Sequence, residues 1–443
     1  MADEAATITE QAKHTDEQLV RGIGIPGLAA NIVNSTIGAG IFVLPALVAK
    51  GLGAVAPLAF VVCAIAMVLF VTCFAIAGSR VSLTGGLYAY VEVAFGRYVG
   101  FLAGVLYAIT AISAVAGVGN VLVDSLGGLV PLLSNPVVRV GLMFAVYLVL
   151  VIINLRGVRG GTGAVGVVTL TKLLPILLFL CVGIFFINRA NFAWSVWPTP
   201  KELGDSVLLL IFAFVGIEVA LIPSGEVKNP ARTVPRAIYL ALVITTVLYL
   251  MIQLVAQGTL GAHLADYPKT PLAEAAAIFL GNIGRTTLIV GAAISAFGFI
   301  ASDILSSPRM IFAFGRDGVI PAWFAHVHPR YHSPDVAIIT YAVIAFVLSV
   351  CSSFEQLAVL SNVAVLLMYL LCFAGVWPLL RREAPPDKRG LVLPGMHFVP
   401  AIAIGTIFWL FWLTKPWDKF AGIGAILLIA SILYFLREKF RSS

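Results

Sequence analysis

Apolar residues along this chain neither alternate with polar ones nor form narrow helical stripes. They fill windows of about 20 residues, the length that a helix needs to cross a bilayer. Twelve such windows fall at roughly 24–48, 54–78, 99–125, 137–155, 162–187, 207–223, 236–258, 286–313, 335–352, 356–379, 396–413 and 419–436. The polar stretches between them are mostly short. The pattern predicts an all-α polytopic membrane protein with 12 transmembrane helices.

Two windows carry residues that such a helix does not favour. Around Asn31–Ala46 the first places Ser35, Thr36, Gly38 and Gly40 in the middle of an apolar run. Two glycines beside hydroxyl residues weaken helix propensity there. Backbone that leaves the helix at membrane depth is tolerated only inside protein or along a cavity. The sixth window repeats the feature in Ile211–Glu218, where Gly216 is followed two residues later by a carboxylate. Glycines of this kind also serve close helix packing. Two interruptions five helices apart instead point to inverted repeats around a midplane site, because an odd offset reverses direction across the membrane. Residues 21–190 (helices 1–5) and 191–380 (helices 6–10) then form the repeats. Residues 1–20 are a cytoplasmic tail, and 381–443 add helices 11 and 12 and a second cytoplasmic tail.

Composition sharpens this. Of 443 residues, 60% are hydrophobic and 11% charged, against about 25% charged in an ordinary soluble domain. The five cysteines lie in apolar spans and read as small hydrophobes, not as a disulfide or metal framework. Residues 1–20 lack the features of a cleaved signal peptide. The net charge of +7 is laid out asymmetrically. With both termini inside, most lysines and arginines, including Arg80, Arg156, Lys228, Arg309 and Arg381, fall on the inner side. The positive-inside rule therefore accounts for the charge without a nucleic-acid partner. Short loops and the absence of targeting signals point to a bacterial inner (cytoplasmic) membrane.

Four motifs resemble those of the amino acid–polyamine–organocation superfamily. They are Gly38-Ala39-Gly40-Ile41-Phe42 with Pro45; Thr84-Gly85-Gly86-Leu87-Tyr88-Ala89-Tyr90 followed by Phe95-Gly96; Phe214-Val215-Gly216-Ile217-Glu218 with Gly225–Pro230 and Val234–Ala237; and Ser307-Pro308-Arg309 with Gly315–Gly318 and Pro321. The resemblance spans residues ~20–380 and includes bacterial proton-coupled members, the arginine/agmatine antiporter and the large neutral amino acid exchangers. It implies a LeuT-type 5+5 inverted repeat with helices 1 and 6 broken, plus two appended helices.

The resemblance assigns a free amino acid to the breaks. Backbone N–H groups around Gly38, Ala39 and Gly40 suit its carboxylate, and freed carbonyls around Thr36, Phe212 and Val215 suit its ammonium. Phe212 stands where the antiporter has a tryptophan over the ligand, so it is an aromatic gate or packing filler. Thr110, Ala111 and Val115 align with the side-chain subsite, and Val115 replaces an amide there, which argues against guanidinium recognition of that kind. Lys172 lies about 15 Å into its window. It resembles the fifth-helix lysine that stands in for sodium in proton-coupled members; the alternative is a charged brace. Asp303 is read as pairing with Lys172, titrating, or holding a cationic side chain. Glu218, just past the second break, is read as gating or structural, and Tyr107 is a further polar candidate.

Gly22–Gly27 fits a GxGxxG pattern without a preceding strand, and His326, His328 and His332 lack companion metal ligands. No enzyme constellation, cofactor or metal is expected. The implied partners are a free L-amino acid, protons in coupled members, and the lipid bilayer. The leading expectation is a secondary active transporter of neutral L-amino acids working by proton-coupled symport or exchange. The alternatives are a cationic amino acid or polyamine transporter using Asp303, and a non-transporting amino acid sensor.

Overall fold

In the computed structural model the described residues are 23–80, 87–156, 161–194, 196–221, 227–316, 320–381 and 395–441. The N-terminal tail, the Thr84-Gly85-Gly86 motif, Gly225-Glu226, Asp317-Gly318 and the last two residues therefore lie outside them. Among the described residues the fold is all-helical, apart from an isolated parallel bridge between Ile23 and Val227. The helices are α1 (Ile25–Thr36), α2 (Leu44–Leu52), α3 (Ala56–Arg80), α4 (Leu87–Phe95), α5 (Arg97–Gly127), α6 (Pro136–Leu155), α7 (Gly161–Gly183) and α8 (Pro200–Phe214). They continue as α9 (Pro230–Leu260), α10 (Pro271–Ser306), α11 (Pro308–Arg316), α12 (Asp335–Cys351), α13 (Phe354–Arg381), α14 (Val399–Thr414) and α15 (Trp417–Arg441).

Among the described residues, seven helical stretches are long and apolar enough to cross a membrane, and three apolar helical stretches are shorter. All twelve apolar windows carry helix, with three departures from the pattern read along the chain. Helix α8 begins at Pro200, ahead of its apolar window, because a capping box starts it. There the Glu202 amide donates to Thr199 Oγ1 (3.2 Å), and the Thr199 amide donates to Glu202 Oε2 (2.8 Å). Helix α10 begins at Pro271 and runs 36 residues, with Gly281 (φ 61°) kinking its N-terminal part. Helix α4 lies outside every apolar window, since its nine residues are too few to form one.

The core lies around α5 and α13, which pack on each other; α10 also lies against α5, while α9 packs on α1 and α3. In the most apolar window of α5, 72% of residues are buried, against 6% for α15. Helix α15 therefore sits at the periphery, and the interior is organised around the helices that flank the two interruptions.

Candidate functional site

Helix α1 stops at Thr36. The Ile37 amide still reaches Val33 O (2.9 Å), but Ile37 leaves the helical region at ψ 87°, and Gly38 is extended (φ −100°, ψ −169°). A 3₁₀ turn over Ala39–Phe42 then leads into α2. Helix α8 stops at Phe214, followed by extended Val215, Gly216 at φ 107°, and a 3₁₀ turn over Ile217–Leu221.

The two interruptions lock into each other. A Cβ at Gly216 would lie 2.9 Å from the Ser35 carbonyl oxygen, and one at Gly40 would lie 2.9 Å from the Phe212 ring. Only glycine permits both the left-handed backbone at 216 and this approach. Gly38 differs: a Cβ there would meet nothing within 4 Å. The open side of the break is thus at Gly38. Phe212 is buried and packs edge-to-face on Phe354 with ring centroids 5.3 Å apart.

Lys172 on α7 is buried and donates to Asn34 O (2.5 Å) and Ile37 O (2.9 Å). These carbonyls belong to the C-terminal end of α1, where the helix dipole favours a cation. The ammonium thus occupies a cation position built from half-helix carbonyls. Glu218 accepts the Gly216 amide (3.0 Å) and the Tyr369 hydroxyl (2.9 Å), so the carboxylate closes the second break.

Asp303 lies elsewhere, half-buried, with Oδ1 accepting Ser307 Oγ (2.8 Å) and Oδ2 accepting the Tyr341 hydroxyl. Among the described residues it makes no ion pair with Lys172, whose bonds go to the carbonyls instead. Tyr107, half-buried on α5, faces Ser307 and so belongs to this second cluster. Thr110 turns its hydroxyl back to Leu106 O (2.9 Å), while its carbonyl accepts Ser361 Oγ (3.1 Å). Thr36 likewise bonds Ile32 O (2.8 Å) through its side chain. These hydroxyls are committed to their own helices. Val115 is fully buried, with its carbonyl accepting the Tyr147 hydroxyl (3.1 Å).

Sequence reading missed several residues: Tyr249, whose hydroxyl approaches carbonyls of both breaks, together with Tyr369, Tyr341 and Phe354; Ser307 was known only as part of a motif. A signal was present for the tyrosines. A phenol inside an apolar window needs a partner, but the window does not say which.

Paired half-helix ends of this kind, meeting inside the protein, are how secondary transporters build a substrate site; here the Gly38 amide rests on Thr36 O (2.9 Å). The amino acid permease family model matches residues 23–434. The chain belongs to that family, within the amino acid–polyamine–organocation superfamily, and is a multi-pass membrane protein that transports amino acids. It is 27% identical to the serine/threonine exchanger SteT of Bacillus subtilis, over 97% of this chain and 100% of the relative. It is 26% identical to the branched-chain amino acid permease BcaP of the same organism (96% and 94% covered). The arginine/agmatine antiporter of Chlamydia pneumoniae is 26% identical (94% and 90% covered).

Proposed function

We propose that this protein carries neutral L-amino acids across the cytoplasmic membrane by proton-coupled symport or exchange, through alternating access. The observation that carries the reading is the pair of interlocked breaks with open space at Gly38. The amides of Gly38, Ala39 and Gly40 take the carboxylate, and carbonyls around Thr36, Phe212 and Val215 take the ammonium. Phe212, braced by Phe354, covers the ligand. Lys172 takes the place of a coupling cation, and Glu218 governs the second break. SteT and BcaP carry uncharged amino acids by name, and the apolar Ala111 and Val115 on α5 fit such side chains.

The architecture that goes with this reading has twelve crossings. Residues 21–190 and 191–380 are inverted repeats, 381–443 supply the last two helices and a tail, and both termini are cytoplasmic. The seven long stretches, the three shorter apolar helical stretches and the two broken segments support that count.

Counterflow in proteoliposomes tests the function. Uptake of L-serine or L-leucine driven by trapped unlabelled amino acid is expected; binding without uptake would make the protein a sensor. A cationic substrate is the second reading, favoured by the carboxylate of Asp303 and the name of the Chlamydia relative. Under it, Asp303→Asn weakens L-arginine, agmatine and putrescine selectively. Equal effects on L-leucine and L-arginine would remove Asp303 as a counter-charge.

A further inference from the structure

Between α11 and α12 the chain folds back on itself. His328, Pro329, Arg330 and Tyr331 make a turn, with proline in the second place, where its fixed φ favours turning. His332 follows with left-handed backbone (φ 52°), and its amide donates to His328 O (2.9 Å). The His328 amide donates to Ser333 O (2.9 Å), which closes the loop on Ser333. Ser333 is buried, and its hydroxyl donates to the carbonyl of Leu155, the last residue of α6 (2.8 Å). Two residues later Asp335 begins α12. The loop therefore fastens the end of α6 to the start of α12.

Its tip is held by the His328 ring. Nδ1 accepts the amides of Arg330 (3.2 Å) and Tyr331 (3.3 Å), as an Asp or Asn oxygen does at the start of a turn. An accepting Nδ1 carries no proton, so the closed turn requires a neutral ring with its hydrogen on Nε2. Histidine is the side chain that changes charge between pH 8 and pH 5. A protonated Nδ1 would be a donor facing two donors, and both bonds would be lost. His326 responds in the opposite sense. Its Nδ1 lies 2.7 Å from Asp335 Oδ1, a pair that a positive ring strengthens. The same carboxylate is close enough for its charge to interact with that of His328. The other charged or titratable groups of the loop are Arg330, over the Tyr331 ring at 5.6 Å, Tyr331 itself and His332. The elements packed against it add Arg156 at the end of α6, and Arg309 and Arg316 on α11.

We propose that residues 326–335 form a pH-responsive clasp: neutral His328 keeps its tip closed, and acid on that face of the membrane opens the tip while His326 and Asp335 keep its base. The tip's contribution is present while His328 is neutral and is lost as pH falls.

The test uses limited trypsin digestion of the full-length, detergent-purified protein, with cleavage after Arg330 measured by mass spectrometry. A free peptide of residues 326–336 in the same tube corrects for the pH dependence of the protease. From pH 8 to pH 5.5, cleavage of the protein relative to the peptide should rise about fivefold or more. His328→Asn supplies an acceptor that does not titrate, and should hold the ratio near its pH 8 level throughout. His328→Ala removes the acceptor and should raise the ratio at both pH values. His326→Gln should leave the rise in place. A flat ratio in the wild-type protein overturns the proposal, as does an equal rise in His328→Asn, or His328→Ala cut no faster than wild type at pH 8. A rise lost in His326→Gln but kept in His328→Asn would put the pH response in the His326–Asp335 pair, and overturns it too.

Discussion

At Gly38 and Gly40, two residues apart, the same added methyl group has opposite consequences. Gly38 has extended backbone, and a Cβ added there would have no atom within 4 Å. Gly38→Ala is therefore expected to leave the melting temperature of the detergent-purified protein nearly unchanged, within ~0.5 kcal/mol, while abolishing stabilisation by the transported amino acid. Gly40→Ala drives a methyl to 2.9 Å from the Phe212 ring, which is itself packed on Phe354. It should cost about 1–3 kcal/mol, seen as a lower melting temperature with or without ligand. Gly216→Ala adds a strained backbone (φ 107°) to a collision with the Ser35 carbonyl, and is expected to be the most damaging of the three. Glycine spacing alone marked all three as break residues. It did not rank them, because the ranking depends on what stands opposite each Cα.

At the scale of elements, short half-helices need help at their ends. The end of α1 is held by Lys172 through two carbonyls. Lys172→Ala is expected to lower stability by about 2 kcal/mol or more, since charge-assisted hydrogen bonds are lost at a buried site, and to abolish pH-dependent uptake. Retained pH dependence in a folded Lys172→Ala protein would leave Lys172 as a brace only. The start of α8 depends on the Thr199–Glu202 box. Hydrogen bonds from the Thr199 amide and hydroxyl hold the Glu202 carboxyl below the usual glutamate range. A carboxyl lowered in the folded state contributes stability above its unfolded value of about 4.3, and that contribution is lost as pH falls through the lowered value. Glu202→Gln should flatten this acid limb in melting curves recorded across pH. The Thr-x-x-Glu signature starts eight residues ahead of the apolar window at 207, because capping residues are polar.

Over the whole molecule, a polar network joins separate elements at the end of α5. Asp124 takes the Arg139 guanidinium from α6 and, at 3.3 Å, the Lys269 ammonium from the segment before α10. Arg139 also reaches Asn120 Oδ1 (2.5 Å), and Asn120 Nδ2 donates to Ser352 O (3.0 Å). The Lys269 side chain is 65% exposed, so Lys269→Gln should change stability by less than ~1 kcal/mol. Asp124→Asn leaves both cations uncompensated and should cost more, about 1–3 kcal/mol, with added salt narrowing the gap. Thermal unfolding at two ionic strengths checks both. Topology is tested separately: in a cysteine-free background, single cysteines at Ala2 and Ser442 should both label only from the cytoplasmic side if the chain crosses an even number of times.

Consecutive residues suffice to show that this chain is membrane-embedded and helical, and where two of its helices break. Those properties are local: apolar length and glycine spacing are written in consecutive residues. The sequence also marks Lys172, Glu218 and Asp303 as charges needing partners. The partners emerge from the packing of distant segments: α1 carbonyls for Lys172, the Gly216 amide and Tyr369 for Glu218, and Tyr341 with Ser307 for Asp303. Tyr249 was invisible until α9 was rotated against both breaks. A buried polar group must be satisfied, but which atom satisfies it depends on helix rotation and packing across distant segments, and no stretch of hydropathy carries that information.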